Sequence, residues 1–361
     1  MESAGMTDGT FKKKGAILRS VLAYLLVTVL FLCVLEGVYR TLGYWRNGTF
    51  RSLHEYDAEL GWRTTANYVS GQVSQFDRLG RKTLRTMRTD SHGARLWGSR
   101  PGAPRLLVLG DSFTQAMEVS NDMTYSAVMA RNLDLDVYAY GAGAWGTLQE
   151  ELMLRRLLPE IRPDALVLQF AVNDFTNNSI ELEGQTVLFQ QTVRPYLVDG
   201  KVVTRFQDWH PYRLALRYSR LFVRLDAMIG VLMYRHFGDF NRLPQGPQRQ
   251  ALERESVSIT ALLLQRIAAS VPAGTRLYTF NRNETDTQTN RAFEDIARAA
   301  GFTVIGDLAA HVDARESATE TMLAEDGVHF NVQGNELLGI RLAQYLKSQN
   351  IGSPGAGQAG R

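Results

Sequence analysis

Cysteine is almost missing from this 361-residue chain: there is one, Cys33. Intramolecular disulfides and any Cys-based metal site are thereby excluded, which leaves little scope for redox chemistry. A block of one charge sign is missing too. Lys and Arg number 40 against 37 Asp and Glu, and the arginines are scattered, so composition makes no case for nucleic acid. Neither the G-x-G-x-x-G nor the Walker phosphate pattern occurs, which disfavours nucleotide binding, and no internal repeat is present. What the chain does have is apolar substance. With 45% apolar and 21% charged residues it can bury a sizeable globular core.

One apolar run is long. Ser20 to Leu35, SVLAYLLVTVLFLCVL, carries no charge and continues past Glu36 into GVYRTLGYW, enough for a bilayer span with Glu36 near the interface. Lys12, Lys13, Lys14 and Arg19 precede it and Arg40, Arg46 and Arg51 follow, a modest positive-inside bias that favours an inside N-terminus. No small-residue cleavage site follows, and Leu32 before Cys33 is too large for lipoprotein processing. The reading is an uncleaved signal anchor. The expected organisation is a cytoplasmic tail over 1–15, a transmembrane anchor over 16–42 and a membrane-proximal connector over 43–104. A domain over 105–350, with an insertion at about 179–250, and a Gly-rich disordered tail over 351–361 complete it.

From Arg105 the pattern becomes regular. Short aliphatic runs, RLLVLG, LDVYAYG from Leu135, ALVLQFA from Ala165, TRLYTFN from Thr275 and FTVIGD from Phe302, alternate with amphipathic segments. These lie near Met123–Asn132, Thr147–Leu158, Glu253–Ala269, Asn290–Ala300 and Gly334–Lys347. Aliphatic strands alternating with helices imply α/β architecture: a three-layer, flavodoxin-like, doubly wound parallel sheet of five strands. Its ligand site belongs at the carboxyl ends of the strands. Within the insertion, RPYLVDGKVVTRF reads as a hairpin turning at Asp199-Gly200, and Tyr212 to Phe237 as one helix. On that helix Arg213, Arg217, Arg220 and Arg224 oppose Leu214, Leu221, Leu225, Met228 and Leu232. This reads as a solvated basic face over a packed apolar one, or as a lid on a membrane surface or an anionic glycan.

Three sequence features bear on chemistry. Gly110-Asp111-Ser112 follows the first strand, where Gly permits a tight turn and the serine can project at the sheet edge; alone, the motif equally describes a helix cap. In EDGVHFNVQG, Asp326 and His329 are three residues apart, so the carboxylate can hold one ring nitrogen while the other reaches a serine. Asn173-Asp174 follows the third strand, where an amide can donate to an oxyanion or simply make a turn. The small-residue loop YGAGAWGT, Tyr140 to Thr147, can add backbone donors.

Taken together and in this order, these segments resemble the SGNH hydrolases, or GDSL esterases and lipases, from about Leu106 to Leu346. The first block matches at Gly110, Asp111, Ser112 and Thr114, and the last at Asp326, His329, Asn331 and Gly334. The resemblance implies the SGNH hydrolase fold, with Ser112 as nucleophile, His329 as base and Asp326 as its orienting acid. It further implies an oxyanion hole made by Ser112, Ala144 and Asn173. Two positions depart from the pattern: Ala171 stands where the third block usually begins with Gly, and Ala144 where the second has Gly. Alanine resists positive φ, which questions either the loop geometry or the alignment against Gly141 and Gly143. LGWR (Leu60–Arg63) and RTDSHGAR (Arg88–Arg95) are similar to a membrane-anchored branch found among bacterial surface-polysaccharide proteins. The expected function is ester hydrolysis through an acyl-serine, most plausibly of O-acetyl groups on a surface or cell-wall glycan. The enzyme would face the periplasm from the inner membrane and need no cofactor or metal. An O-acetyltransferase with the same triad and a non-catalytic glycan-binding or assembly subunit are the alternatives.

Overall fold

The computed structural model describes residues 5–97, 100–184, 193–204, 210–237, 246–283 and 287–351; the tail expected to be disordered lies, beyond Ile351, outside the described residues. Five strands, β1 (Arg105–Gly110), β2 (Asp136–Gly141), β3 (Ala165–Phe170), β4 (Arg276–Asn281) and β5 (Thr303–Val304), form one parallel sheet in the order 5-4-3-1-2. This is the doubly wound α/β sheet that the alternation predicted. The strands coincide with the five aliphatic runs, and the central ones are buried on both faces: Leu106 to Leu109 on β1 and all of β3 are buried, whereas the edge strand β5 is not. Alternation then splits them. Leu106 and Val108 join one core with α2 (Tyr125–Asn132) and α7 (Val332–Ser348), through Tyr125, Met129, Leu338 and Leu342. Leu107 and Leu109 join the other, with α3 (Thr147–Leu157), α5 (Pro247–Ser270) and α6 (Thr287–Ala299), through Leu148, Leu152, Leu263 and Phe293. Each such side chain contributes about 1.5–3 kcal/mol on burial, so both faces hold the sheet edge rigid.

Local signals start the helices where the chemistry needs them. Thr124 caps α2 by accepting the Ala127 N–H at 3.2 Å, and Asn331 caps α7 by accepting the Gly334 N–H at 3.0 Å, each satisfying a donor that the first turn leaves open. Because all five strands are parallel, the carboxyl ends of β1, β2 and β3 lie along one edge.

Ahead of the sheet, α1 (Gly5–Asn47) contains Ala16–Asn47, 32 residues with an 18-residue window of mean hydropathy 2.5 that is not buried within the protein. It is long and apolar enough to cross a membrane and is a candidate anchor or signal sequence. Segment 48–97 forms two short hairpins, His54–Asp57 with Gly61–Thr64 and Val73–Phe76 with Lys82–Arg85. In the insertion, Pro195–Val198 pairs with Lys201–Thr204. Asp199 and Gly200 turn it with φ of 49° and 75°, the pair of positive angles that a two-residue hairpin turn requires.

The expectation of one helix over Tyr212–Phe237 needs correction. There are two, His210–Tyr218 and α4 (Arg220–Phe237). Ser219 ends the first and caps the second, its Oγ accepting the Phe222 N–H at 2.9 Å. Glu36 of α1 completes the cap, its carboxylate accepting the N–H groups of Arg220 at 2.9 Å and Leu221 at 3.0 Å. The packed apolar face is also corrected: Leu225, Met228 and Leu232 are exposed by 45%, 44% and 59%.

Behind the sheet edge sit three buried carboxyls, Asp111, Glu150 on α3 and Asp174. Burial first, then mutual repulsion, raises Glu150 and Asp174 well above the usual carboxylate range. Neither Glu150 oxygen has a hydrogen-bond partner among the described residues, as befits a neutral acid. A carboxyl raised in the fold contributes stability that is complete below its unfolded value and lost as pH climbs through the folded one. Glu150→Gln, uncharged throughout, is therefore expected to melt above the parent protein at pH 8 and to lose that advantage towards pH 4.5. Each kcal/mol recovered raises the melting temperature by roughly 2–4 °C; a constant difference from pH 4.5 to 8 in thermal melts would show that Glu150 ionises freely.

Candidate active site

The first strand runs out at Gly110 for lack of room. A side chain there would overlap Thr114 Oγ1 and Gln169 Oε1, so close approach rather than positive φ demands glycine. Asp111 then does what a capping aspartate does, its Oδ1 accepting the Phe113 N–H at 2.9 Å. That leaves Ser112 as the first residue of a single helical turn, Ser112–Gln115. Thr114 Oγ1 donates to Gln169 Oε1 at 3.0 Å, and the same oxygen accepts the Asp111 N–H at 3.1 Å. The serine turn is thus tied to the neighbouring strand.

The imidazole arrives from the far end of the chain. His329 Nε2 lies 2.8 Å from Ser112 Oγ, and His329 Nδ1 lies 2.5 Å from Asp326 Oδ2. The tight loop is self-templated, because Asp326 Oδ1 also accepts the N–H groups of Val328 at 2.9 Å and His329 at 3.0 Å. These bonds overcome partial burial and hold the Asp326 carboxyl down at about 2. The histidine is shifted the opposite way. Burial pulls it down, but the Asp326 hydrogen bond and the nearby Glu118 charge outweigh that and raise it above the ordinary value. Its ring packs against Phe113, centroids 4.9 Å apart, and the Arg282 guanidinium lies 5.2 Å over the other ring of that pair, Phe113. Apolar packing thus flanks the imidazole, and Arg282 holds the Phe113 ring in turn.

The second-strand loop carries the departure that the sequence flagged. Ala144 does adopt the left-handed region, φ 59°, at a cost of roughly 1–2 kcal/mol for an L-residue. The loop is over-determined around it. Gln115 Oε1 accepts the Gly143 N–H at 3.0 Å, Trp62 Nε1 donates to Gly143 O at 2.9 Å, and Trp145 Nε1 donates to Trp62 O at 2.9 Å. With the Gly143 N–H taken, the N–H groups of Ser112 and Ala144 remain without a protein partner among the described residues. Asn173 opens the short helix Asn173–Asn178 at the end of β3, its amide directed at the buried Asp111 carboxyl next to Ser112.

Several contributors were invisible in the sequence. Glu118 Oε1 lies 3.7 Å from His329 Nδ1, a second carboxylate on the imidazole that no spacing rule announces. Gln115 Nε2 donates to Thr64 Oγ1 at 2.8 Å and meets His54 Nε2 at 2.7 Å; burial lowers the His54 value, so a neutral imidazole accepts from the amide. Arg95 donates to the carbonyls of Gln115, Ala116 and Val119 at 2.9, 2.7 and 2.6 Å. It clamps the strap that leaves the serine turn, where Ala116 has φ 46°. Leu60–Arg63 and Arg88–Arg95 are therefore parts of the site's support.

An alcohol, an imidazole and a carboxylate joined in series, beside free backbone donors, can pass a proton off the alcohol as it attacks a carbonyl and hold the oxyanion that forms. Among the described residues the one group able to seat a cation is Glu118, Asp326 and His329, with donor atoms within 4.8 Å of one another. A metal there would displace the Asp326–His329 hydrogen bond.

The family model of GDSL-like lipases and acylhydrolases matches residues 108–337. Among solved structures the chain is similar to TesA, at 14% identity and a TM-score of 0.39 over 68% of this chain and 98% of that one. It is also similar to the lipase/acylhydrolase from Enterococcus faecalis, at 17% and 0.36 over 68% and 96%. A third is the Clostridium thermocellum family 3 carbohydrate esterase, at 11% and 0.37 over 69% and 99%. No curated protein matches the chain. With the family matched from the first strand into the last helix, the chain belongs to the GDSL-like lipase/acylhydrolase family and is an ester-hydrolysing enzyme.

Proposed function

We propose that the enzyme removes O-acetyl groups from a surface or cell-wall glycan, working outside the cytoplasm from an N-terminal membrane anchor. The observation that carries this reading is the 2.8 Å contact between Ser112 Oγ and His329 Nε2 with Asp326 behind it. Ser112 Oγ bonds to the acetyl carbonyl carbon as its proton passes to His329 Nε2. The oxyanion is received by the Ser112 and Ala144 N–H groups and the Asn173 amide. The bond to the sugar oxygen then breaks, His329 returns the proton to that oxygen, and the acyl-serine remains. Water repeats the sequence in reverse, releasing acetate and regenerating Ser112.

A small acyl group on a bulky carrier suits the position of the site. The His329 and Asp326 side chains are 22% and 45% exposed, at an open rim rather than deep in a channel. Asn173→Ala is expected to slow turnover about 10²- to 10³-fold, the usual cost of losing one oxyanion donor, in an assay of p-nitrophenyl acetate hydrolysis. A twofold loss would leave Asn173 as a helix-starting residue. The glycan itself is tested with the full chain in detergent on O-acetylated polysaccharide, with Ser112→Ala as blank. Acetate released by the parent protein alone supports the reading; acetyl groups passed to an added glycan acceptor without free acetate would make the enzyme a transferase.

A further inference from the structure

Where α1 meets the catalytic domain there is a cleft of about 1480 Å³ that the esterase chemistry does not use. One wall is the last two turns of α1, from Tyr39 to Asn47; another is the pair of insertion helices; and Met117 and Glu325, chain neighbours of Glu118 and Asp326, line it on the side of the catalytic loops. Seven arginines face three carboxylates across it. Five of them, Arg46, Arg85, Arg217, Arg220 and Arg224, have no carboxylate within 4.0 Å among the described residues. Of the acids, Glu55 is already engaged by Arg63 at 2.8 Å, so guanidinium groups outnumber the carboxylates left to pair with them in the cleft.

The insertion helices are set for this. Arg40 donates to the Tyr218 carbonyl at 2.8 Å, and Glu36 accepts from Ser219 Oγ at 2.9 Å and caps α4. The junction of the two helices is thereby fixed to α1 at the end of its apolar stretch. Arg217, Arg220 and Arg224 turn into the cleft, whereas Leu225, Met228, Ile229 and Leu232 stay exposed, continuing the bare apolar surface of Leu25 to Leu42 on α1. Guanidinium groups pair bidentately with phosphate oxygens, and an amphipathic helix with an open apolar face lies at the level of lipid head groups.

We infer that this cleft binds the phosphate-bearing head group of an anionic membrane lipid, with its acyl chains along α1 and the apolar face of α4. The inference rests on reading α1 as a membrane span, and Met117 and Glu325 make the cleft a neighbour of the loops that carry Glu118 and Asp326. The test uses the full chain extracted in mild detergent from a membrane fraction and supplied with equal phosphatidylglycerol and phosphatidylcholine. Lipid adducts are counted by native mass spectrometry. Retained phosphatidylglycerol is expected to exceed phosphatidylcholine about tenfold. Arg217→Gln/Arg224→Gln, both on exposed helix surface, is expected to abolish that preference while p-nitrophenyl acetate hydrolysis stays within about twofold. Equal retention of the two lipids, an unchanged preference in the double variant, or displacement of phosphatidylglycerol by millimolar inorganic phosphate would each overturn the assignment. A chain recovered in the soluble fraction overturns the span and this inference with it, leaving the esterase reading to its own acetate assay.

Discussion

Replacing Ser112 by alanine is expected to remove nearly all ester hydrolysis, lowering kcat by about 10⁶-fold, the scale seen when a triad nucleophile is deleted. The loss should appear in kcat with KM little changed, because the proposed role of the side chain removed is attack on the reacting carbonyl rather than substrate binding. Folding should be unaffected. Ser112 is half-buried, and Asp111, not Ser112, caps the turn. A variant that melts with the parent protein and keeps more than a hundredth of its rate would show that the alcohol at residue 112 is not the attacking group.

Asp326→Asn is expected to cost between about 10² and 10⁴ in kcat, the upper figure being the loss when a triad carboxylate becomes an amide and stabilises the wrong imidazole tautomer. The range is set by Glu118, whose carboxylate lies 3.7 Å from the same Nδ1 and can partly take over. pH separates the two acids. For His329 to serve as the proposed base it must be neutral, and both carboxylates raise its value, so the rate of the parent protein should climb with pH through a midpoint above the ordinary histidine value of about 6.5. Removing either charge favours the neutral ring. Glu118→Gln should therefore move the midpoint down with a small change in the plateau, whereas Asp326→Asn should move it down and collapse the plateau. A pH–rate profile of p-nitrophenyl acetate hydrolysis for the three proteins reads both effects, and a Glu118→Gln midpoint that does not fall would remove Glu118 from the electrostatics of the site.

The sheet could be read from the sequence because its central strands β1 and β3 are buried on both faces and hence near-continuous aliphatic runs, LLVL and ALVLQF, from which the alternation with helices extends to the more mixed outer strands. The candidate site was legible because its parts have local signatures: a glycine-aspartate turn before Ser112, an aspartate three residues before His329, and, for the proposed oxyanion donor Asn173, an asparagine at a strand end. What could not be read is long-range. Glu118 earns its place only through a fold that brings it to a histidine 211 positions away, and Arg95 clamps three carbonyls, groups that every residue owns and no pattern reveals. The insertion helices misled for a related reason. Helical periodicity separates a basic from an apolar face, but which face turns inward depends on Glu36, far upstream, seizing the N-terminus of α4. The break at Ser219 was legible in principle, since serine is a favoured cap, but the apolar period runs through it. Ala144 is the instructive case: its intrinsic preference argued against a conformation that Gln115, Trp62 and Trp145 together impose.

The Arg95 clamp bears on where the enzyme can be cut from its long N-terminal helix α1. The strands and helices from Arg105 onward look self-sufficient, yet Arg95, Thr64, Trp62 and His54 all hold loops of the site from upstream. A soluble version therefore has to begin near residue 48, immediately after α1; one begun at the first sheet strand would keep its nucleophile and lose the scaffolding that aims it.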